Sequence, residues 1–156
     1  MSAFKKLALV IIGPLLSLAL LSCGGGGGGG GTPSGGGGNP TATVISGRVV
    51  DGFVAGATVT AYKVNANGTQ GDQIGTPVTT DQFGNYSLNL GTYTGPVYLA
   101  SRGGSYIDAA TGNTIDLTIS SLILSAIVPN ASGNVTAEIN PLTSMAADVA
   151  LTSAGQ

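Results

Sequence analysis

Short runs of alternating apolar and polar residues, separated by turns rich in glycine and asparagine, occupy the chain from residue 41 onward. The run 56–62 alternates strictly and places Ala57, Val59 and Ala61 on one face, which is the pattern of a half-buried β-strand. Comparable patterns predict further strands over these ranges: 44–50, 86–90, 97–102, 122–128 and 135–139. We therefore predict an all-β fold, an antiparallel β-sandwich over residues 41–140, with the evenly apolar run 122–128 as a central strand.

A short helix is predicted to follow the strands, over residues 141–156. Asn140 is a favourable N-cap residue, and Pro141 fits the first helical position. Leu142, Met145 and Val149 then recur at spacings of three and four residues, which places them on one face. We expect this face to pack on the sandwich. The alternative is that it contacts a partner, which would make the chain a short or truncated member of a larger type of surface protein.

The first 22 residues have the pattern of a secretory signal peptide. Lys5 and Lys6 precede an apolar run over residues 7–21, which Pro14 interrupts. The run is shorter than the roughly 20 apolar residues that a membrane-spanning helix needs. A basic start followed by a short apolar run is typical of a segment that directs export and is then removed.

The signal ends in Leu20-Leu21-Ser22-Cys23, which resembles the lipobox of bacterial lipoproteins. The resemblance implies cleavage between Ser22 and Cys23 and acylation of Cys23, the only cysteine in the chain. Two or three acyl chains would anchor the protein stably in a membrane. Gly24 stands where an Asp would favour retention in the inner membrane. We therefore expect a lipid-anchored protein of the cell envelope, at the outer membrane or the cell surface.

Residues 23–40 predict a flexible tether after the lipidated cysteine. An unbroken glycine run covers residues 24–31, and a second one covers residues 35–38. Glycine-rich chains are flexible coils, and about 17 such residues have a root-mean-square reach of roughly 20–25 Å. A phosphate-binding glycine loop is disfavoured, because no strand precedes the run and no Gly-Lys-Ser/Thr follows it.

Three segments of the predicted sandwich resemble the carboxypeptidase regulatory-like domain, which has a prealbumin-like fold. They match the family's "SGxV", "pxxGAxVxxY" and "TDxxGxYxL" patterns, in order: Ile45–Asp51, Val54–Tyr62 and Thr80–Leu88. The resemblance covers about residues 44–102, and residues 103–116 then read as an insertion-like loop. It implies a rigid accessory, spacer or adhesion module, although a fold alone does not determine a function.

Some of the related collagen-adhesin B-type domains carry an isopeptide bond between a Lys and an Asn. Here Arg48 stands where that Lys would be expected, and an Arg cannot act as the amine nucleophile. Lys63, Glu138 and Asn140 form a conceivable substitute set. This set is disfavoured because Lys63 lies at the end of its predicted strand.

Composition argues against several classes of function. The chain has no His, which excludes a His-based catalytic triad and a His-containing metal site. Removal of the signal peptide leaves three basic residues against seven acidic ones, a formal net charge of −4. This balance disfavours nucleic-acid binding. Carboxylates paired for glycoside hydrolysis are not evident. We therefore predict no enzymatic activity and no cofactor.

The loop over residues 103–113 is the best candidate for ligand binding. Tyr106, Asp108 and Asn113 supply an aromatic ring and polar groups, as a sugar or peptide site requires. Loops on a rigid sandwich also commonly carry binding residues. A structural connection whose glycines serve tight turns is nevertheless favoured over a binding site, because the loop has no Trp and no second carboxylate near Asp108.

Calcium is a weaker possibility at Asp72, Asp81 and Asn85. Their spacing does not match an EF-hand loop, and Asp81 and Asn85 are expected to shape a hairpin by bonding local backbone. The sequence therefore predicts no metal site. It favours a lipid-anchored spacer or binding module for carbohydrate, matrix or protein. The alternative is an accessory subunit or N-terminal fragment of a larger adhesin or enzyme.

Overall fold

The computed structural model of this chain describes residues 41–154, which belong to one compact unit. The predicted signal peptide, Cys23 and the glycine-rich segment lie outside the described residues. In chain order the elements are β1 (Val44–Arg48), β2 (Thr58–Val64), β3 (Gln70–Thr79), β4 (Asn85–Asn89), β5 (Gly95–Arg102), β6 (Ser105–Ile107), β7 (Thr114–Asp116), β8 (Ile123–Ala131), β9 (Asn134–Thr136) and α1 (Pro141–Ala154). The all-β prediction with a C-terminal helix is confirmed.

Two sheets face each other across the main core. One has the strand order β4-β1-β9 and the other β3-β2-β5-β8. Ile45 and Leu88 of the first sheet and Val59 and Leu99 of the second have no exposed surface, and they belong to one apolar cluster. Alternating strands that each bury one face must stack in this way. The predicted sandwich is therefore confirmed, with one departure: β9 runs parallel to β1.

Sequence patterning missed β3. Its ten residues include two glycines and a proline, and most of its side chains are exposed. Only Ile74 and Val78 pack against the core. The strand forms because its backbone pairs with β2 along most of its length. Backbone pairing at a sheet edge leaves little trace in the apolar pattern.

The segment after β5 is not an unstructured insertion. Residues 105–107 and 114–116 pair as the β6–β7 hairpin, with Tyr106 opposite Ile115. Gly104, at the start of this segment, has φ +83° and lies against the backbone of Ala55. A Cβ at residue 104 would come within 2.6 Å of the Ala55 carbonyl oxygen, so only glycine fits there.

The prediction that residues 122–128 form a central strand is wrong. β8 lies at the edge of the four-stranded sheet and pairs with β5 alone. It is apolar on both faces because the core covers one face and α1 packs on the other. A helix covering a sheet edge thus produces the same apolar pattern as a central position.

The start of α1 is the predicted one, but the buried face is not. Asn140 caps the helix: its Oδ1 accepts the N–H of Thr143, and the Thr143 hydroxyl accepts the N–H of Asn140. Leu142, Met145 and Val149 are 75%, 67% and 64% exposed and do not pack on the sandwich.

Small side chains bring α1 close to the outer face of the sheet instead. Ala147 is 1% exposed and packs with Tyr98 and Ala100, and Leu151 joins the same cluster. The hydroxyls of Thr143 and Ser144 contact the Ser125 backbone of β8. The helix therefore forms a third layer and does not close an end of the core.

Candidate functional site

The sandwich has two distinct ends. At the end where the described chain begins, called here the entry end, the Thr43 N–H donates to Gly91 and the Val44 N–H donates to Gly133. β1 then runs to the opposite end, called here the loop end, where segments 49–57, 80–84 and 103–122 meet.

Thr80 holds the loop end together. It is 5% exposed, and its Oγ1 accepts the Ala57 N–H at 2.9 Å and donates to the Val54 carbonyl at 2.7 Å. Its own N–H donates to the Ala57 carbonyl at 2.9 Å. Because Val54 and Ala57 have no exposed surface, these bonds satisfy backbone groups that water does not reach.

The structure places Tyr106, Asp108 and Asn113 together in the β6–β7 hairpin, at the loop end. The Asp108 N–H donates to the Asn113 carbonyl at 2.9 Å, across the hairpin turn. Asp108 Oδ1 accepts the Ala110 N–H at 2.8 Å, and Oδ2 accepts the Thr111 hydroxyl at 3.0 Å. The bonds from Ala110 and Thr111 lower the pKa of Asp108, and the bond from the Ala110 N–H has the larger effect. The carboxylate is therefore ionised and engaged in shaping its own turn.

Tyr106 packs its ring against Gly52 and the edge of the core. Partial desolvation, together with the carboxylates of Asp51 and Asp108, raises the pKa of its phenol. Tyr106 is half-buried, and Asn113 is exposed. Among the predicted trio, Asn113 has the most accessible side chain.

Sequence reasoning missed an aromatic surface at the same end. Phe53 is 53% exposed and Phe83 is 52% exposed. The Arg48 guanidinium lies 4.9 Å from the centre of the Phe53 ring, an arrangement favoured by the charge distribution of the ring. The available signal was an aromatic residue within each of two turns, next to Gly52 and Gly84.

The three calcium candidates do not come together as a set of ligands. Asp81 and Asn85 bond each other: the Asn85 Nδ2 donates to Asp81 Oδ2 at 2.8 Å, and this bond is the main cause that lowers the Asp81 pKa. Asp81 Oδ1 also accepts the N–H groups of Phe83 and Asn85. Asp72 lies apart in β3. Within residues 41–154 no group of three or more acidic or cysteine side chains is placed to hold a metal.

The isopeptide candidates are likewise distributed over both sheets. Lys63 lies in β2, whose neighbours are β3 and β5. Glu138 and Asn140 follow β9, at the edge of the other sheet. The structure therefore does not bring the three residues together. Asn140 caps α1 instead.

Two grooves flank α1. An apolar groove of about 570 Å³ lies between β8, the β9 edge and the helix, and Val128, Val135, Ala146 and Ala150 are among its lining residues. A more polar groove of about 560 Å³ lies on the other side of the helix; among its lining residues are Tyr98, Ser125, Ser144 and Asp148. Sequence reasoning identified neither, because each groove forms between elements that are distant along the chain.

Ser22, Cys23 and the predicted tether lie outside the described residues, so the predicted cleavage and lipid-attachment sites stay predictions. No helix in residues 41–154 has the length and apolar character needed to cross a bilayer.

Comparison of the chain with protein-family models, with curated proteins and with solved structures finds no match.

Proposed function

We propose that this chain is a lipid-anchored protein of the cell envelope whose β-sandwich acts as a spacer and binding module. The basic residues, the apolar run and Leu20–Cys23 follow one another in the order of a lipoprotein signal. The glycine-rich segment between Cys23 and the sandwich suits a tether.

The observation that carries the proposal is which end of the sandwich the tether would join. The tether would join the sandwich at the entry end, beside Thr43 and Gly91. α1 starts near Val50 at the loop end, since the Val50 N–H donates to Ile139. It then runs back, so that Leu151 packs in a cluster with Val64, the last residue of β2. A tether from Cys23 would thus attach to the sandwich at the end opposite its loop end.

The loop end supports binding of carbohydrate, matrix or protein. Phe53 and Phe83 expose their rings there, and Asn113 exposes its amide side chain. Exposed aromatic rings supply contact area at low entropy cost, and neighbouring polar groups give direction to a ligand. The chain has no His to act as a general acid or base, so we expect binding without catalysis.

Acylation is tested by expressing the full chain in bacteria that are supplied with labelled palmitate. Wild type and Ser17→Ala, a control inside the apolar run, should incorporate label, and Cys23→Ala should not. Equal incorporation by Cys23→Ala would refute the lipid anchor.

Binding is tested with immobilised envelope polysaccharides and matrix proteins. Phe53→Ala and Phe83→Ala should each weaken capture of the chain at least several-fold, since such rings are frequent energetic anchors. Val149→Ala removes a similarly exposed apolar side chain from α1 and should leave capture unchanged. If all three variants bind like wild type, the loop end is not the binding surface.

A second candidate function is an accessory subunit or a fragment of a larger surface protein. The exposed row of Leu142, Met145 and Val149 on α1 favours it. Contiguous exposed apolar side chains often mark contacts with another domain. A reading frame that continues past Gln156 would support this alternative, and a stop codon there would oppose the fragment.

A further inference from the structure

The more polar of the two grooves beside α1 has the size of a ligand site. It holds about 560 Å³ and lies between the helix, β8 and the segment that leads into β8. Ligand sites commonly have volumes of about 300–1,000 Å³ and a small number of well-placed polar groups. Two almost buried residues, Tyr98 and Ser125, line this groove together with exposed residues that include Ser121, Leu122 and Asp148. The groove thus joins buried polar groups to a solvent-exposed rim.

The Ser125 hydroxyl is not used by the fold, although the residue is only 3% exposed. The Ser125 N–H donates to Ser144 Oγ at 2.7 Å, and its carbonyl accepts the Thr143 hydroxyl at 2.8 Å, so α1 satisfies both backbone groups. These bonds leave the Ser125 hydroxyl without a partner among residues 41–154. It is not enclosed either, since Thr43 Oγ1 is the one fully enclosed, unpartnered side-chain atom in that range. The Ser125 hydroxyl therefore opens onto the groove.

The Tyr98 phenol is in the same situation. Its ring packs in one cluster with Ala147 of α1, and the ring centre of Tyr62 lies 6.3 Å away. Only 9% of Tyr98 is exposed, and its hydroxyl has no hydrogen-bond partner within the described part of the chain. Polar groups of buried residues are almost always hydrogen-bonded. Two unpartnered hydroxyls on one groove therefore indicate that water or a bound molecule completes their hydrogen bonds.

The lining groups match a neutral sugar better than a charged ligand. Among residues 41–154, no Lys or Arg lines the groove, and the Asp148 carboxylate would repel an anion. A single exposed carboxylate attracts a cation only weakly in water. The hydroxyls of Tyr98 and Ser125 can donate and accept, and a carboxylate accepts, so together they complement the hydroxyls of a sugar. Leu122, which is 45% exposed, offers apolar surface to the C–H groups of a sugar ring.

We propose that this groove binds a neutral saccharide of one or two sugar residues, whose hydroxyls bond to Tyr98, Ser125 and Asp148. None of its lining residues belongs to the surface formed by Phe53 and Phe83, so this is a second site that needs neither those rings nor the lipid anchor. The polar contacts are few and the groove is open to solvent. We therefore expect a dissociation constant on the order of 1 mM.

Nuclear magnetic resonance titration of isotope-labelled residues 24–156 tests the site, because this segment contains the whole compact unit from Gly37 onward. The neutral probes are glucose, cellobiose and diacetylchitobiose, and the charged probes are glucuronate and ethylammonium, each added to about 20 mM. At least one neutral probe should shift the amide signals of residues 120–125 and 144–148 in a saturable way. Each charged probe should bind at least several-fold more weakly. No saturable shift with any neutral probe, or tighter binding of a charged one, would overturn the proposal.

The same titration separates this site from the proposed binding surface at the loop end. The amide signals of Phe53 and Phe83 report on that surface. Shifts confined to those two turns would overturn the groove site and support the loop end. Shifts at residues 120–125 and 144–148, without shifts at Phe53 and Phe83, would support the groove whether or not the loop end binds another ligand.

Variants with matched controls assign the individual bonds. Tyr98→Phe, Ser125→Ala and Asp148→Asn each alter one polar group and should weaken binding about threefold to tenfold. Tyr62→Phe removes the neighbouring phenol, which does not line the groove, and should bind like wild type. Ser101→Ala should also bind like wild type, because Ser101 is 4% exposed but lies on the core side of the sheet. Equal affinities for Tyr98→Phe and Tyr62→Phe, and for Ser125→Ala and Ser101→Ala, would refute the assigned bonds.

Discussion

Replacement of Thr80 by Val tests how the loop end is held. The substitution keeps the shape of the side chain and removes the hydroxyl that bonds Ala57 N–H and Val54 C=O. Both backbone groups belong to residues with no exposed surface. A buried polar group without a partner costs about 1–3 kcal/mol. Removing the hydroxyl also removes its own desolvation cost, so we expect a loss of about 2–4 kcal/mol in unfolding free energy.

Urea unfolding of residues 24–156, followed by circular dichroism, measures this loss. With a slope of about 1.5 kcal/mol/M, the midpoint should fall by about 1.3–2.7 M. Thr79→Val is the matched control: Thr79 is the neighbouring residue, is exposed on β3, and should change stability by no more than about 0.5 kcal/mol. Equal midpoints for Thr80→Val and Thr79→Val would refute the assignment of Thr80 as the connection between the loops.

Three further predictions concern α1 and the sheet that carries β9. Met145→Ala should change the free energy of unfolding by at most about 0.5 kcal/mol. Ala147→Leu should cost about 1–3 kcal/mol, because residue 147 is buried against the sheet. If urea melts give the opposite order, the helix packs through its other face. Asn140→Ala should cost about 1 kcal/mol through loss of the N-cap, and an unchanged melting temperature would contradict that role. Burial raises the pKa of the Tyr86 phenol above its ordinary value of 10.0. The folded state therefore keeps a proton that the unfolded chain releases, so stability should fall as the pH rises above about 10. Tyr86→Phe should lose less stability over that range, and parallel pH profiles would show that Tyr86 is not responsible.

Much of the strand pattern could be predicted from the sequence. The alternation over residues 56–62 and 86–90 identified the buried residues of β2 and β4 correctly, because one face of each strand meets the core. The N-cap of α1 was likewise predicted, since capping depends on residues a few positions apart. The hairpin that holds Tyr106, Asp108 and Asn113 was not predicted, because its two strands have only three residues each.

Other features depend on partners that are distant along the chain. β3 is polar and forms because β2 offers its backbone. The most apolar stripe of α1 stays exposed, since Ala147 and Ser144 allow a closer approach to Tyr98 and Ser125 than larger side chains would. The edge position of β8 was hidden by the helix that covers it.

The sequence by itself determined which residues alternate and where turns and caps fall. Only the tertiary structure decided which face of α1 is buried, which strands lie at the edges, and that Phe53 and Arg48 meet at the loop end. The physical reason is that periodicity and capping are local properties of the backbone. The hydrophobic free energy gained by burying a side chain has no preferred direction, and any apolar surface can provide it. Which surfaces meet is therefore decided by the packing of the whole domain.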